Sequence, residues 1–332
     1  CLGCSTASAK EKPLSSVADL RYGVALYHYY QNQHFLALSD LLVAEARGGI
    51  QGHGDNPEIM LGGFYMAYGL ERTASDIFER LLDANRPQKT RDAAWLHLAK
   101  MRYLRGDWSE SQEALSRVSE KPEKAIARER DVLQVDLYIR QELIEEAIAI
   151  VDRVHEQDER APYFYFNVAG ALARAGEYDR AVSYYNRLSE MRQRSEEFLS
   201  LYDKAMTAAG FSYLFNEQYD LASQQFRQVR LDGPFSHRAL LGYGWAQAEA
   251  EDFKGALAPW QALSQRSLID ENTQESLVAI PYAYERMNLK SAALAQYRNA
   301  EASFESEITT LDLYMQDLRG DAMMPALNSD PS

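Results

Sequence analysis

An echo that returns about every 36 residues constrains the fold of this sequence more than any other feature. GEYDRAVSYYNRL from Gly176, NEQYDLASQQFRQV from Asn216, EDFKGALAPWQAL from Glu251 and GDWSESQEALSRV from Gly106 share one pattern. Each has a turn residue, then an aromatic, then a small residue three positions on. Weaker copies begin at Gln33, Gly69, Glu142 and Met287. Aligned on the first residue after the turn, the eight copies have hinge anchors Phe35, Glu71, Trp108, Ile144, Tyr178, Tyr219, Phe253 and Leu289, spaced 36, 37, 36, 34, 41, 34 and 36 residues apart. A chain that repeats at fixed spacing adds like units along one axis and does not grow a single core.

The half of each unit before the hinge carries its own signature. Leu61, Gly62 and Tyr65 in the second unit, and Trp95, Leu98 and Ala99 in the third, set large and small residues at matched offsets. Tyr165, Val168 and Ala169 do so in the fifth unit, Ala209, Gly210 and Tyr213 in the sixth, and Tyr243 and Gly244 in the seventh. Small side chains there let two antiparallel helices approach closely. In the second half, Ala181, Ala222 and Ala256 are the matching contacts, with Tyr185, Phe226 and Trp260 one turn later as core.

These residues and spacings resemble the tetratricopeptide repeat family, whose period is about 34. The resemblance implies an all-α, right-handed solenoid of about eight helix-turn-helix repeats. Residues 1–18 read as a flexible tether, 19–300 as the solenoid, 301–319 as a capping helix and 320–332 as a disordered tail. Phe304, Ile308, Leu311 and Met315 give the capping segment its helical spacing. The end repeats fit least well. Leu38 replaces the small residue of the first, and Pro281 interrupts the first helix of the eighth; Pro259 falls within the second helix of the seventh. The inserted stretch Met191–Asp203 is the expected place for a bend, with five repeats before it and three after. The glycine-rich stretch Arg47–Glu58 reads as a connector ending at a helix start, with Asp55 or Asn56 as N-cap and Pro57 in the first turn; a ligand-touching loop using His53 and Asp55 is the other reading.

In the family, first helices line a concave groove that takes a protein or peptide partner. Carrying the groove offsets over selects Tyr27 and Tyr30 in the first unit, Lys100 and Tyr103 in the third, and Arg140 in the fourth. It selects Tyr163, Phe166 and Arg174 in the fifth, Lys204, Phe211 and Phe215 in the sixth, and Arg238, Leu241 and Trp245 in the seventh. Aromatic surface with scattered cations suits an extended or helical peptide. Several of these rings can equally pack between repeats.

Charge and motif content narrow the function further. With 35 Lys and Arg against 49 Asp and Glu, the net charge of −14 repels phosphate backbones, so nucleic acid is not an expected partner. The six histidines are scattered, and no HExxH, GxxxxGK[ST] or GxSxG motif is present. Neither catalysis nor a metal, cofactor or small-molecule substrate is expected. Cys1 and Cys4, the two cysteines, fall in CLGCSTASAKEKP, which lacks hydrophobic periodicity. A cysteine at the first position before a small and polar stretch resembles the start of a processed bacterial lipoprotein. That resemblance implies acylation of Cys1 or, because Leu2 and Gly3 precede it, of Cys4. It implies a membrane-surface, periplasm-facing outer-membrane location and a scaffold role in an envelope assembly. A Cys1–Cys4 pair, an arbitrary boundary, and a soluble cytoplasmic regulator or co-chaperone are the alternatives.

Overall fold

The computed structural model describes residues 17–191 and 195–319, with side chains to residue 316. Cys1 and Cys4, most of the expected tether and the expected 320–332 tail lie outside the described residues. Among those described there is no strand, and the chain runs through sixteen α-helices. They are α1 (Leu20–Tyr30), α2 (His34–Ala46), α3 (Asn56–Ala67), α4 (Glu71–Leu81), α5 (Gln88–Arg105), α6 (Trp108–Ser116), α7 (Lys124–Arg140) and α8 (Ile144–Val151). There follow α9 (Ala161–Arg174), α10 (Tyr178–Arg187), α11 (Glu196–Phe215), α12 (Tyr219–Phe226), α13 (Ser236–Glu249), α14 (Phe253–Ser264), α15 (Glu271–Arg286) and α16 (Lys290–Arg319).

Each odd-numbered helix ends in the same backbone device. One residue per hinge adopts the left-handed conformation: Asn32, Gly69, Gly106, Glu142, Gly176, Glu217, Glu251 and Asn288, with φ between 57° and 86°. At seven hinges the next N–H closes back onto the carbonyl five residues earlier, as in Leu70 to Tyr65 at 2.8 Å, Glu177 to Leu172 at 2.9 Å and Gln218 to Tyr213 at 2.8 Å. This is the Schellman arrangement, which satisfies orphan carbonyls at a helix end while reversing the chain. Glycine reaches that conformation without strain, and asparagine tolerates it.

The hinges correct two anchors. The first and eighth second helices begin at His34 and Lys290, one residue from Phe35 and Leu289. The left-handed residue lies two positions before His34, as it does before Glu71 and Trp108, so the first copy was aligned one residue late. Its small core residue is therefore Ala37, fully buried, and Phe35 stands 69% exposed.

The contacts divide the chain after Gln141 into two compact units, the first holding α1–α7 and the second α8–α16. Phe78, Leu81 and Ala74 centre the first unit's core, extended by a cluster around Leu96, Leu115 and Leu137. In the second unit Trp260, Leu263 and Ala283 form the corresponding cluster. Close helix approach depends on glycine at the expected positions: a Cβ on Gly62 would lie 2.7 Å from Phe78, and one on Gly210 2.6 Å from Phe226. A buried carboxylate also recurs sixteen residues before the second helix. Asp92 accepts from the Ser119 N–H and hydroxyl at 2.9 and 2.6 Å, and Asp203 from the Arg230 N–H and Nε at 3.1 and 2.8 Å. Each ties its first helix to the exit of its repeat.

Other expectations need amending. No unit boundary falls at 191–203: a 3-10 turn (Leu188–Glu190) and the 20-residue α11, which packs on α10 and α9, take up the described part of the extra length. Pro281 does not interrupt α15, and Pro259 lies within α14; both rings are buried and the surrounding helix continues. There is no separate capping helix, because α16 runs unbroken from Lys290 to Arg319. Its stripe lacks a cover, with Ile308, Leu311 and Met315 exposed. The Arg47–Glu58 connector is pinned to α1: the Asp19 N–H donates to His53 Nε2 at 3.1 Å, and the Asp19 carboxylate accepts from the Gln51 N–H at 3.0 Å. Asp55 occupies the N-cap position of α3 without capping it, its carboxylate accepting from the Thr90 hydroxyl at 2.7 Å and pairing with Arg86.

Candidate functional site

Counting back from the start of each second helix, positions 4, 8, 12 and 15 fall on one face of the first helix, because they repeat at the helical period. In the second unit this face of α11 carries Phe215, Phe211, Thr207 and Lys204, and all four line one cavity of about 330 Å³. Phe166 and Arg174 of α9, Tyr185 of α10 and Arg238 of α13 complete it. Six of the fourteen residues selected from sequence thus converge: Phe166, Arg174, Lys204, Phe211, Phe215 and Arg238.

Two of the three cations lie against rings. Lys204 Nζ is 4.8 Å from the Phe166 centroid and the Arg238 guanidinium 5.2 Å from that of Phe211. Phe211 packs edge-on against Phe226 at 5.1 Å, which fixes its ring. Burial pushes the Tyr185 hydroxyl up to about 12, while Arg174 pulls it the other way, so the phenol at the wall stays a neutral donor. Among the described residues, Arg174, Lys204 and Arg238 have no carboxylate within ion-pair distance. Across the rest of the molecule carboxylates are plentiful and pair freely, as Arg187 with Asp152 at 2.9 Å and Arg105 with Glu71 at 2.7 Å.

The other eight selected residues lie elsewhere. Trp245 donates from Nε1 to Glu275 at 2.7 Å and meets Trp260 edge-on at 5.0 Å, and Tyr163 bonds Glu197. Lys100 pairs with Glu129, and Arg140 Nε reaches the Tyr103 hydroxyl at 3.4 Å. Leu241 is a correction: it is 6% exposed and belongs to the core cluster of Trp260 and Leu263, its carbonyl accepting from Trp260 Nε1 at 3.2 Å. The adjacent Gly242 and nearby Gly244, where an added Cβ would collide with Phe226 and Trp260, bring α13 close enough to enclose it. Tyr27 and Tyr30 stand 62% and 76% exposed, outside this cavity and the first unit's; counted from His34, Tyr30 keeps position 4 while position 8 passes from Tyr27 to Leu26.

Counted back from His34, positions 8 and 12 are Leu26 and Tyr22, and these line a second cavity, of about 640 Å³, wholly within the first unit, with Tyr29 beside them. The same positions of the second repeat supply its other wall: Ala67, Gly63, Ile59 and Asn56. Sequence reasoning missed this cavity although the signal was available, since the offsets applied to the second repeat name its α3 wall directly. His97 and Phe64 also reach it. Among the described residues, no Lys, Arg, Asp or Glu lines it. Among the described residues there is also no cluster of His, Cys, Asp and Glu suited to a metal ion, and no helix long and apolar enough to cross a membrane.

The tetratricopeptide repeat family model matches residues 132–196 and 207–268. No curated protein matches the sequence. Among solved structures, the apo form of RapI superposes with a TM-score of 0.63 at 12% identity, over 90% of this chain and 89% of that one. The C-terminal part of a tetratricopeptide repeat-containing protein from Cytophaga hutchinsonii gives 0.50 at 18% identity, over 85% and 94%. MamA from Desulfovibrio magneticus RS-1 gives 0.40 at 19% identity, over 53% and 94%. At these identities the likeness is one of fold. The family match on the central repeats, together with eight left-handed hinges 34 to 41 residues apart, supports a tetratricopeptide repeat protein.

Proposed function

We propose that this protein is a non-catalytic scaffold whose second unit holds an acidic, ring-bearing segment of a partner polypeptide in the cavity of α9, α11 and α13. One observation carries the reading. Residues 142–319 contain 17 Lys and Arg against 28 Asp and Glu, yet three cations around this cavity have no carboxylate partner among the described residues. In so acidic a surrounding, leaving them free favours an anion brought from outside. The rings beneath them offer apolar contact at small rotamer cost. Selection of a random displayed peptide library on the full chain tests this. Enrichment of Asp or Glu beside Phe, Tyr or Leu is expected, and it is lost with Arg174→Glu, Lys204→Glu and Arg238→Glu combined. The same enrichment on that variant would sink the proposal.

The N-terminal sequence supports a lipid anchor at Cys1 or Cys4, which would hold the scaffold on the periplasmic face of the outer membrane. Two or three acyl chains anchor firmly where one does not, at about 0.8 kcal/mol per buried methylene. Intact mass spectrometry of the precursor expressed in a Gram-negative host, with Cys1→Ala and Cys4→Ala controls, would show the added chains on one of these residues. An unmodified chain would instead favour a soluble cytoplasmic regulator and leave the groove reading intact.

A further inference from the structure

The first unit's cavity is twice the size of the second's and has a different chemistry. One lining position stands out. Eight residues before the second helix, the third, sixth and seventh repeats carry Lys100, Phe211 and Trp245, whereas the second carries Gly63 and the fifth Gly170, where an added Cβ would meet Arg174 and Tyr185 at 3.6 and 3.7 Å. The preceding glycine has a packing reason, the Phe78 ring against Gly62. Gly63 has none: a Cβ there would meet nothing within 4 Å. A glycine inside a helix costs roughly 0.5–1 kcal/mol relative to alanine, and here the open space above it is the cavity itself. The walls include Met60 and Met66, whose unbranched side chains adapt to irregular apolar shapes, with Ile59 and Leu26 beside them. Tyr29 lies at the rim, 6.0 Å centroid to centroid from Phe64 and 5.6 Å from His34.

His97 supplies the second observation. Its ring stacks on Phe78 at 4.6 Å with an interplanar angle of 8°, and its Nδ1 is buried without a hydrogen-bond partner. Burial first, and Lys100 second, hold the imidazole down to about 4 against the opposing pull of Glu129, so at neutral pH the wall carries no charge. A buried polar atom left without a partner is uncommon in a folded protein and calls for an explanation. A cavity of hundreds of cubic ångströms, mostly apolar, with few polar groups and a perturbed titratable one, has the features of a small-molecule site.

We propose that the cavity of α1, α3 and α5 binds a neutral, largely apolar small molecule of drug-like size. An ionised ligand would find no counter-charge among the lining residues, and an acidic peptide of the type proposed for the second unit would find no cation. The assignment is independent of that reading.

Nile red, a neutral dye whose emission rises in apolar surroundings, tests it on the full chain. Saturable one-to-one binding is expected. Gly63→Phe should weaken it at least tenfold and Gly63→Leu by a smaller factor, while the far-ultraviolet circular dichroism of both variants stays that of the parent. Gly63→Ala, which adds one methyl in open space, should bind nearly as the parent does. Absence of saturable binding, or a Gly63→Phe protein that binds as tightly as the parent, would overturn the assignment. So would a dye signal that falls as the protein is concentrated, which would make a second copy the occupant. A signal that appears once residues 1–16 are deleted, and not before, would make that segment the occupant and overturn it as well.

Discussion

The two cavities occupy the same place in the repeat and differ in almost everything else. In α3 the face 4, 8, 12 and 15 residues before the second helix reads Ala67, Gly63, Ile59 and Asn56; in α11 it reads Phe215, Phe211, Thr207 and Lys204. Among the described residues the first set leaves about 640 Å³ with no formal charge, the second about 330 Å³ beside three cations, two of which lie on rings. The surroundings differ in parallel, with 16 Lys and Arg against 18 Asp and Glu in residues 17–141, but 17 against 28 in 142–319. A repeat backbone fixed by hinges and small-residue contacts thus leaves these few positions free to set size and charge. Changing them changes what can bind and leaves the fold in place.

Exchanging the characters of the two cavities is the sharpest way to break this comparison. Phe211→Gly should open the second cavity toward the size of the first at a cost of about 3 kcal/mol, from lost contact with Phe226 and a helical glycine. Urea unfolding would measure it. A cost below about 1 kcal/mol would mean that Phe211 does not support the wall.

Charge supplies the next effect. His97 stays neutral in the folded unit down to about pH 4, while in the unfolded chain it takes up a proton near 6.5. Acid therefore favours unfolding: the stability linked to His97 is complete above pH 6.5 and is lost as pH falls toward 4. At pH 5 the loss is about 2 kcal/mol. His97→Phe, which keeps a ring over Phe78, should remove that part of the acid sensitivity. Urea midpoints of parent and variant that shift in parallel between pH 7.5 and 5 would contradict the account.

A paired alanine substitution gives the smallest effects, of opposite sign. Gly210→Ala places a methyl against Phe226 and should cost about 1–2 kcal/mol. Gly63→Ala meets open space and should gain about 0.5–1 kcal/mol from helix propensity. Thermal unfolding of both variants reads the contrast. Equal destabilisation would show that the glycine at Gly63 is there for packing.

Sequence alone disclosed the period, the close-contact glycines and six residues of the second cavity, because these follow from periodicity and steric size. It did not disclose the exact register at the ends. The first hinge lacks glycine and has Asn32 in the left-handed role, so Phe35 takes the place in the alignment that belongs to His34, and Tyr27 the place that belongs to Leu26. Nor do glutamates at hinges announce themselves: Glu142, Glu217 and Glu251 adopt positive φ with no compositional cue. The depth of the first cavity was hidden for a different reason. Gly63, which lines it, contributes no side chain, and an empty position gives no motif. Leu241 was misplaced because offset arithmetic does not say how closely a neighbouring helix approaches.

The central claim is that unpaired cations over aromatic rings make the second unit's groove a receptor for acidic polypeptide. Isothermal titration of the full chain with a peptide selected on it, at low and high salt, tests this most directly beside a variant combining Arg174→Gln, Lys204→Gln and Arg238→Gln. The account predicts affinity that falls as salt rises, at least a hundredfold weaker binding by the variant, and little remaining salt dependence in it. Equal affinity for parent and variant, or binding indifferent to salt in both, would contradict it.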